Sequence, residues 1–388
     1  MYTGPKTINN GLVYGYDTGY GVADNGNSTR FYPGEPTVNL MTSHFESLSV
    51  DGSGQSSVGT RTTIGTNHVK IVDNASNTRQ SVYISGLTAS TTYTLSNQFK
   101  KISGTPTWRY QIQAYNNSSY VSTIKFTNTA EIGLLDIDGW QTAKWTFTLP
   151  ANSNRVLVFF QDGADYTTYD HSFEVKNPQL EAKGHATFYV DGTRSATASL
   201  IDLKRNNNID MSYMSFNSTS QPTFDGTDDY ILTPFTRGTL GDQLTMIAYY
   251  KFDGSTGRTY TPIFGGKESG TGTEFFIGKN SGNTNIGVQD GNYSGSFVTG
   301  SNAWDGNYHQ IVYTYENGSG RIYLDGVEKS AGTFSKCNAA EQITVGSEVE
   351  GTGYYMIGDI PRVCVFDRVF TAEEVLKDFN ANKNRFNI

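Results

Sequence analysis

Cleavage of a sugar needs two carboxylates converging on one bond, one as acid and the other as base or nucleophile. The chain offers two close acidic pairs, Glu348 and Glu350 in SEVEGTG and Asp136 and Asp138 in LLDIDGW. Both sit beside glycines in segments expected to be loops, where a carboxylate that caps turn amides or faces water is the plainer reading. The five histidines (His44, His68, His171, His185, His309) are dispersed, and no G-x-S-x-G frames a serine nucleophile. GGKESGTGTEF lacks the spacing of a phosphate-cradling loop. His309, at the start of NYHQIVYTY, reads as a packed or hydrogen-bonded structural histidine. No reactive centre is legible, and the chain is not expected to be an enzyme.

Binding chemistry is better represented. Asp225, Asp228 and Asp229 in FDGTDDY form the densest acidic group, with Asp253, Asp290 and Asp305 in other expected loops. Oxygen donors of this kind suit a hard cation, so calcium is compatible with the sequence. The same aspartates can instead satisfy turn amides. No ligand set is assigned, and no cofactor is required. Contact with a carbohydrate calls for exposed aromatic faces beside amide or carboxylate partners. The candidates are Tyr115, which falls on the polar parity of its strand; Trp140, just ahead of its strand; and Tyr260, Tyr293, Tyr354 and Tyr355 in Gly-rich segments. Trp108 and Trp145 share the apolar parity of their strands and read as core.

The elements that would carry these residues are short strands. The 388 residues include 42 glycines and 13 % aromatic residues against 17 % charged ones, a composition suited to strands joined by tight turns. Trp108, Tyr110, Ile112 and Ala114 alternate with Arg109, Gln111, Gln113 and Tyr115. Val156–Phe160 is apolar throughout, as in a strand covered on both faces. Ile311, Tyr313 and Tyr315 pair with Ile322 and Leu324 across ENGSG, and Asp325-Gly326 has the composition of a type I′ turn. One helix is predicted at the C-terminal end, opened by Thr371 and Glu374 as a capping box.

The net charge is −8, and residues 205–388 carry 14 Lys/Arg against 21 Asp/Glu, or −7. So acidic a surface argues against nucleic acid as a partner. The longest apolar run, Val156–Phe160, is too short to insert in a membrane, and Met1–Gly11 has no signal-peptide character. Cys337 and Cys364 are expected to be free thiols.

The ordered phrases FDGTDDYIL, WDGNYHQIVYTY, RIYLDGVEKS and GDIPRVCVFDRVFTAEEV resemble the laminin-G/concanavalin-A-like lectin domain of bacteriophage virion proteins. VNLMTSHF, SVYISGLTASTTYTLS, GWQTAKWTFTL and NPQLEAKGHATFYVDGTRSA resemble jelly-roll carbohydrate-binding modules of similar origin. The resemblance implies an all-β chain of two antiparallel β-sandwiches with one short C-terminal helix. The jelly roll would occupy residues 39–190 and the lectin-like domain residues 191–388. Residues 1–38 would be either the first strand of the lectin-like domain, making the jelly roll an insertion, or an anchoring arm. The implied function is that of a virion structural protein (capsid decoration, collar or tail fibre, or baseplate-associated). Its partners would be other virion proteins, further copies of itself and host surface glycans.

Overall fold

The first strand of the chain is completed by the last. In the structure, a computed structural model, Leu12–Asp17 pairs antiparallel with Ile357–Phe366, placing Tyr14 opposite Val365 and Tyr16 opposite Val363. The structure describes residues 8–18, 34–41, 43–50, 60–73, 79–104, 108–135, 139–161, 171–218, 221–254, 260–267, 273–279, 285–292, 295–298, 303–338, 340–349 and 352–388. The chain divides into two compact units. One unites Met1–Pro36, Ser195–Asn217 and Gln221–Ile388; the other holds Thr37–Arg194 with Ser218–Ser220.

The continuous unit is a sandwich of two five-stranded antiparallel sheets. One orders Trp140–Thr148, Thr92–Ser103, His171–Glu181, His68–Asp73 and Thr60–Gly65. The other orders Ser49–Val50, Arg79–Ser85, Arg155–Gln161, Arg109–Asn116 and Ser119–Phe126. The alternation of Arg109–Asn116 is realised as a strict burial alternation, with Tyr110, Ile112 and Ala114 inward. Trp108, Phe99, Phe160 and Phe173 pack into one aromatic cluster, with Phe99 and Phe173 stacked at 5.5 Å. Burial of each such ring contributes about 1.5–3 kcal/mol. The one amide in this cluster, Asn97, is saturated by the donors around it: Trp108 Nε1 (3.3 Å) and the Tyr110 hydroxyl (2.7 Å) donate to its Oδ1.

The discontinuous unit has three layers. Its eight-stranded sheet centres on Ile357–Phe366, Gln243–Phe252 and Tyr308–Glu316, and its six-stranded sheet on Gln342–Val345, Thr261–Lys267 and Thr273–Lys279. The main core lies between them. Gln243–Phe252 is buried on both faces because Ile247 and Tyr249, on its outer face, pack with Val375 and Phe386 of the C-terminal helix. That helix, Ala372–Phe386, begins with the expected capping box between Thr371 and Glu374. Ile311 lies opposite Leu324 and Tyr313 opposite Ile322, as their spacing implies. The turn that follows places Asp325 at φ 52° and Gly326 at φ 76°, the left-handed pair that a type I′ hairpin requires.

Several of the buried charges in this unit are paired. Arg237 and Asp290 are both fully inside, joined at 2.9 Å through Nε and 2.7 Å through Nη2. Asp290, expected in a loop, instead lies within the strand Ile286–Asn292. Burial there is tolerable because Tyr313 and the Cys337 amide also donate to its carboxylate. Arg362 holds Asp378 of the helix at 3.0 and 2.9 Å, and Arg385 holds Asp17 of the first strand at 2.7 Å. Cys337 and Cys364 are buried and unbridged; burial pushes the Cys364 thiol up to about 12. No helix among the described residues is long and apolar enough to cross a membrane.

Candidate functional site

A concave site forms where two neighbouring segments of the discontinuous unit are stapled by one aspartate. Asp229 accepts the Ser215 amide at 2.6 Å on Oδ1 and the Asp225 amide at 2.5 Å on Oδ2. Asp225 in turn accepts the Thr227 amide at 2.7 Å, closing the turn in the way its composition suggests. The short ladder between Ser215–Phe216 and Pro222–Asp225 fixes the register of the two segments. As a consequence Tyr213 lies flat on Tyr230, ring centroids 4.6 Å apart and planes 14° apart. Tyr230 is 4 % exposed whereas Tyr213 remains 49 % exposed, so the pair has a buried base and an open upper ring.

Tyr355 closes another wall. Its strand, Thr352–Tyr355, pairs with Ser347–Val349, which corrects the expectation of a loop here. Successive strand residues point to opposite faces. Tyr355 therefore lines the cavity while Tyr354 packs on Tyr260 at 4.9 Å. The cavity is lined by Ser212, Tyr213, Met214, Ser215, Asp228, Asp229, Tyr230 and Tyr355, and measures about 340 Å³.

The electrostatics separate the two carboxylates. Burial pushes Asp229 up to about 6, against the downward pull of the two amides it accepts. Asp228 is exposed, and no described residue donates a hydrogen bond to it. Burial, with Asp228 nearby, raises the Tyr355 phenol. The site thus offers an open tyrosine face and a carboxylate without a donor among the described residues, while the Ser212 hydroxyl already donates to Asp210 at 2.6 Å.

Asp225, Asp228 and Asp229 bring carboxylate oxygens within 4.8 Å of one another, the spacing of a cation site. Both oxygens of Asp229 and one of Asp225 already accept backbone amides. A cation here would draw on Asp228, the second Asp225 oxygen, backbone carbonyls and water. The same commitments remove Asp229 as a general acid despite its raised pKa, since its oxygens are turned to the turn amides. Of the acidic pairs noted in the sequence, Glu348 is buried, while Glu350, Asp136 and Asp138 lie outside the described residues. His309 accepts its expected structural place, with Nδ1 2.8 Å from Asp325 and Nε2 3.3 Å from Asp305.

The other candidate aromatics are dispersed. Tyr293 lies outside the described residues. Tyr115 stands in a row across one sheet of the continuous unit, edge-on to Tyr83 at 5.5 Å and to Tyr120 at 5.8 Å. Tyr83 is 47 % and Tyr120 56 % exposed, and the Arg155 guanidinium covers Tyr83 at 3.8 Å. Trp140 is the first residue of its strand rather than ahead of it. Its ring is occupied: Lys176 Nζ sits 3.8 Å from the centroid and His68 meets it edge-on at 5.3 Å. Trp108 is core as expected, and Trp145 is partly buried against that core. Tyr213 and Tyr230 escaped the sequence reading. MSYMSF and DDYIL are 17 positions apart at the two tyrosines, and the carboxylate staple and the short ladder make them one surface.

Residues 224–376 match a family model described as the Concanavalin A-like lectin/glucanases superfamily. No curated protein sequence matches the chain. Among solved structures, the chain is similar to the botulinum neurotoxin serotype D binding domain, at 13 % identity and a TM-score of 0.36 over 49 % of this chain and 50 % of that one. It is also similar to the botulinum neurotoxin type G receptor binding domain, at 14 % identity and a TM-score of 0.35 over 47 % of this chain and 48 % of that one. A third is the CBM40 of the Ruminococcus gnavus IT-sialidase bound to alpha2,3 sialyllactose, at 16 % identity and a TM-score of 0.30 over 35 % of this chain and 80 % of that one. The chain therefore spans about half the length of the neurotoxin structures it matches. Likenesses of this size carry no functional weight.

Proposed function

We propose that this is a non-catalytic adhesive protein that binds glycans weakly, through the tyrosine and carboxylate cavity of its concanavalin-A-like unit. The observation carrying this reading is the open ring of Tyr213, held flat on buried Tyr230 beside the unpartnered carboxylate of Asp228. A sugar presents an apolar C–H face that packs on an aromatic ring and hydroxyls that donate to a carboxylate. Small-ligand sites combine apolar area with a few placed polar groups in this way. In this reading calcium is not required, because amides already hold the Asp225 and Asp229 carboxylates in place.

The wider setting we propose is a bacteriophage particle, as a capsid decoration, collar or tail fibre, or baseplate-associated protein. Its partners there are other virion proteins and further copies of itself. The resemblance of the sequence phrases supports this setting. Repeated display suits a shallow site, since individual affinities on the order of millimolar become effective when many copies engage one surface.

A glycan array, probed with and without calcium, tests the adhesive reading. Binding that survives calcium removal and falls about tenfold in Tyr213→Ala supports it, the scale of a lost aromatic stacking contact. Absence of binding at every glycan leaves a spacing or stabilising role instead. Release of reducing sugar from a bound polysaccharide contradicts the non-catalytic reading. Mass spectrometry and electron microscopy of purified particles test the virion setting.

A further inference from the structure

The lining of the cavity is one-sided in charge. Three tyrosines, two serines and a methionine share it with Asp228 and Asp229, and no lysine, arginine or histidine is among the described lining residues. The exposed Asp225 carboxylate lies within 4.8 Å of the other two, adding a third negative group at the same rim. Residues 205–388 around it sum to −7, from 14 Lys/Arg and 21 Asp/Glu. An anionic sugar would bring its carboxylate against Asp228 with no basic side chain among the described lining residues to neutralise it. A neutral sugar would use the tyrosine face alone and hydroxyl donation to Asp228. A sugar bearing an ammonium gains two further terms: an ion pair with Asp228 and attraction to the face of Tyr213 or Tyr355.

We propose that this cavity selects glycans carrying a free ammonium, with an unacetylated amino sugar as the smallest such ligand, over neutral and anionic glycans. The inference rests on the glycan-binding reading and specifies the ligand class of that same site. The aromatic-lined cavity carries it, and the acidic turn sets its sign. Within the cavity the carboxylates have different tasks. Asp229 positions the two segments through backbone amides, while Asp228 has no such duty and is free for a ligand.

The test compares glucosamine oligomers with fully N-acetylated oligomers of the same length, and with sialyllactose, by isothermal titration calorimetry at pH 6. The amine form is expected to bind about two- to fivefold more tightly than the acetylated form, the scale of one partly exposed ion pair. Raising the salt concentration should narrow that ratio. Asp228→Asn should bring the ratio close to one, weakening the amine form more than the acetylated form, while leaving the thermal midpoint unchanged. Glu373→Gln, on the exposed face of the C-terminal helix, should leave the ratio intact. Equal binding of the two oligomers, or tighter binding of sialyllactose, overturns the charge selection while the glycan reading survives. A preference unchanged in Asp228→Asn, or lost equally in Glu373→Gln, reflects net charge and also overturns it. Binding of no sugar at all removes both.

Discussion

The two sandwiches bury similar β surfaces but fill them differently. The continuous unit, Thr37–Arg194, packs Trp108, Phe99, Phe160 and Phe173 around a neutral amide, Asn97, and meets its buried Glu181 with the Thr37 hydroxyl and the Thr187 amide. The discontinuous unit closes buried charges into direct ion pairs, Arg237 with Asp290 and Arg362 with Asp378. Both units pair strands distant in sequence, but the continuous unit draws them from one stretch, setting His171–Glu181 between Thr92–Ser103 and His68–Asp73. The other unit must recruit a first strand, a last strand and a helix from distant parts of the chain. Arg385–Asp17 and Arg362–Asp378 fasten these pieces to one another. A buried charge without its partner costs several kcal/mol, so misplacement of any of these pieces is penalised.

Removing one partner of the most buried pair should expose this contrast most strongly. Asp290→Ala strands the Arg237 guanidinium, whose Nη1 already has no acceptor among the described residues, and also strips the acceptor from Tyr313 and the Cys337 amide. The expected cost is about 3–5 kcal/mol, visible in calorimetry as a lowered transition for one unit with the other unmoved. Asn97→Ala, the neutral counterpart, leaves Trp108 Nε1 without its acceptor and should cost about 1–3 kcal/mol. A penalty for Asn97→Ala equal to that of Asp290→Ala would erase the distinction between the two cores.

Arg385→Ala sharpens the comparison at a site nearer the surface. Arg385 is 34 % exposed and Asp17 retains Arg362 at 3.7 Å, so the loss should be only about 1 kcal/mol in denaturant titration. The smallest effect concerns pH. Burial pulls the His309 pKa down, but hydrogen bonds and charge from Asp325 and Asp305 outweigh it and leave the value raised above its usual 6.5. A raised folded value means stability fully present below 6.5 and lost as pH climbs through the folded pKa. The thermal midpoint of the discontinuous unit should therefore decline as pH rises from 6.5 toward 8, and His309→Gln should remove that part of the slope.

Much of the fold was legible because a strand writes its two faces into alternate residues. Tyr110, Ile112 and Ala114 read as inward and are inward; the pairing of Ile311 and Tyr313 with Leu324 and Ile322 follows from the intervening turn. Legibility failed where burial depends on a partner from elsewhere. Asp290 looks like a loop residue until Arg237 is placed beside it, and the Lys176 ammonium over the Trp140 ring could not be read from the alternation of its strand.

The sequence by itself determined an all-β chain, the capped C-terminal helix and the acidity of the second half, since these depend on local period, local caps and summed charge. It left the role of residues 1–38 open between strand and arm. The tertiary structure decided that Leu12–Asp17 pairs with Ile357–Phe366, and that Tyr213, Tyr230, Tyr355 and Asp228 share one cavity. Such convergence depends on hydrogen bonds between segments far apart in the chain, and a pattern read along the chain carries no record of which distant segments meet.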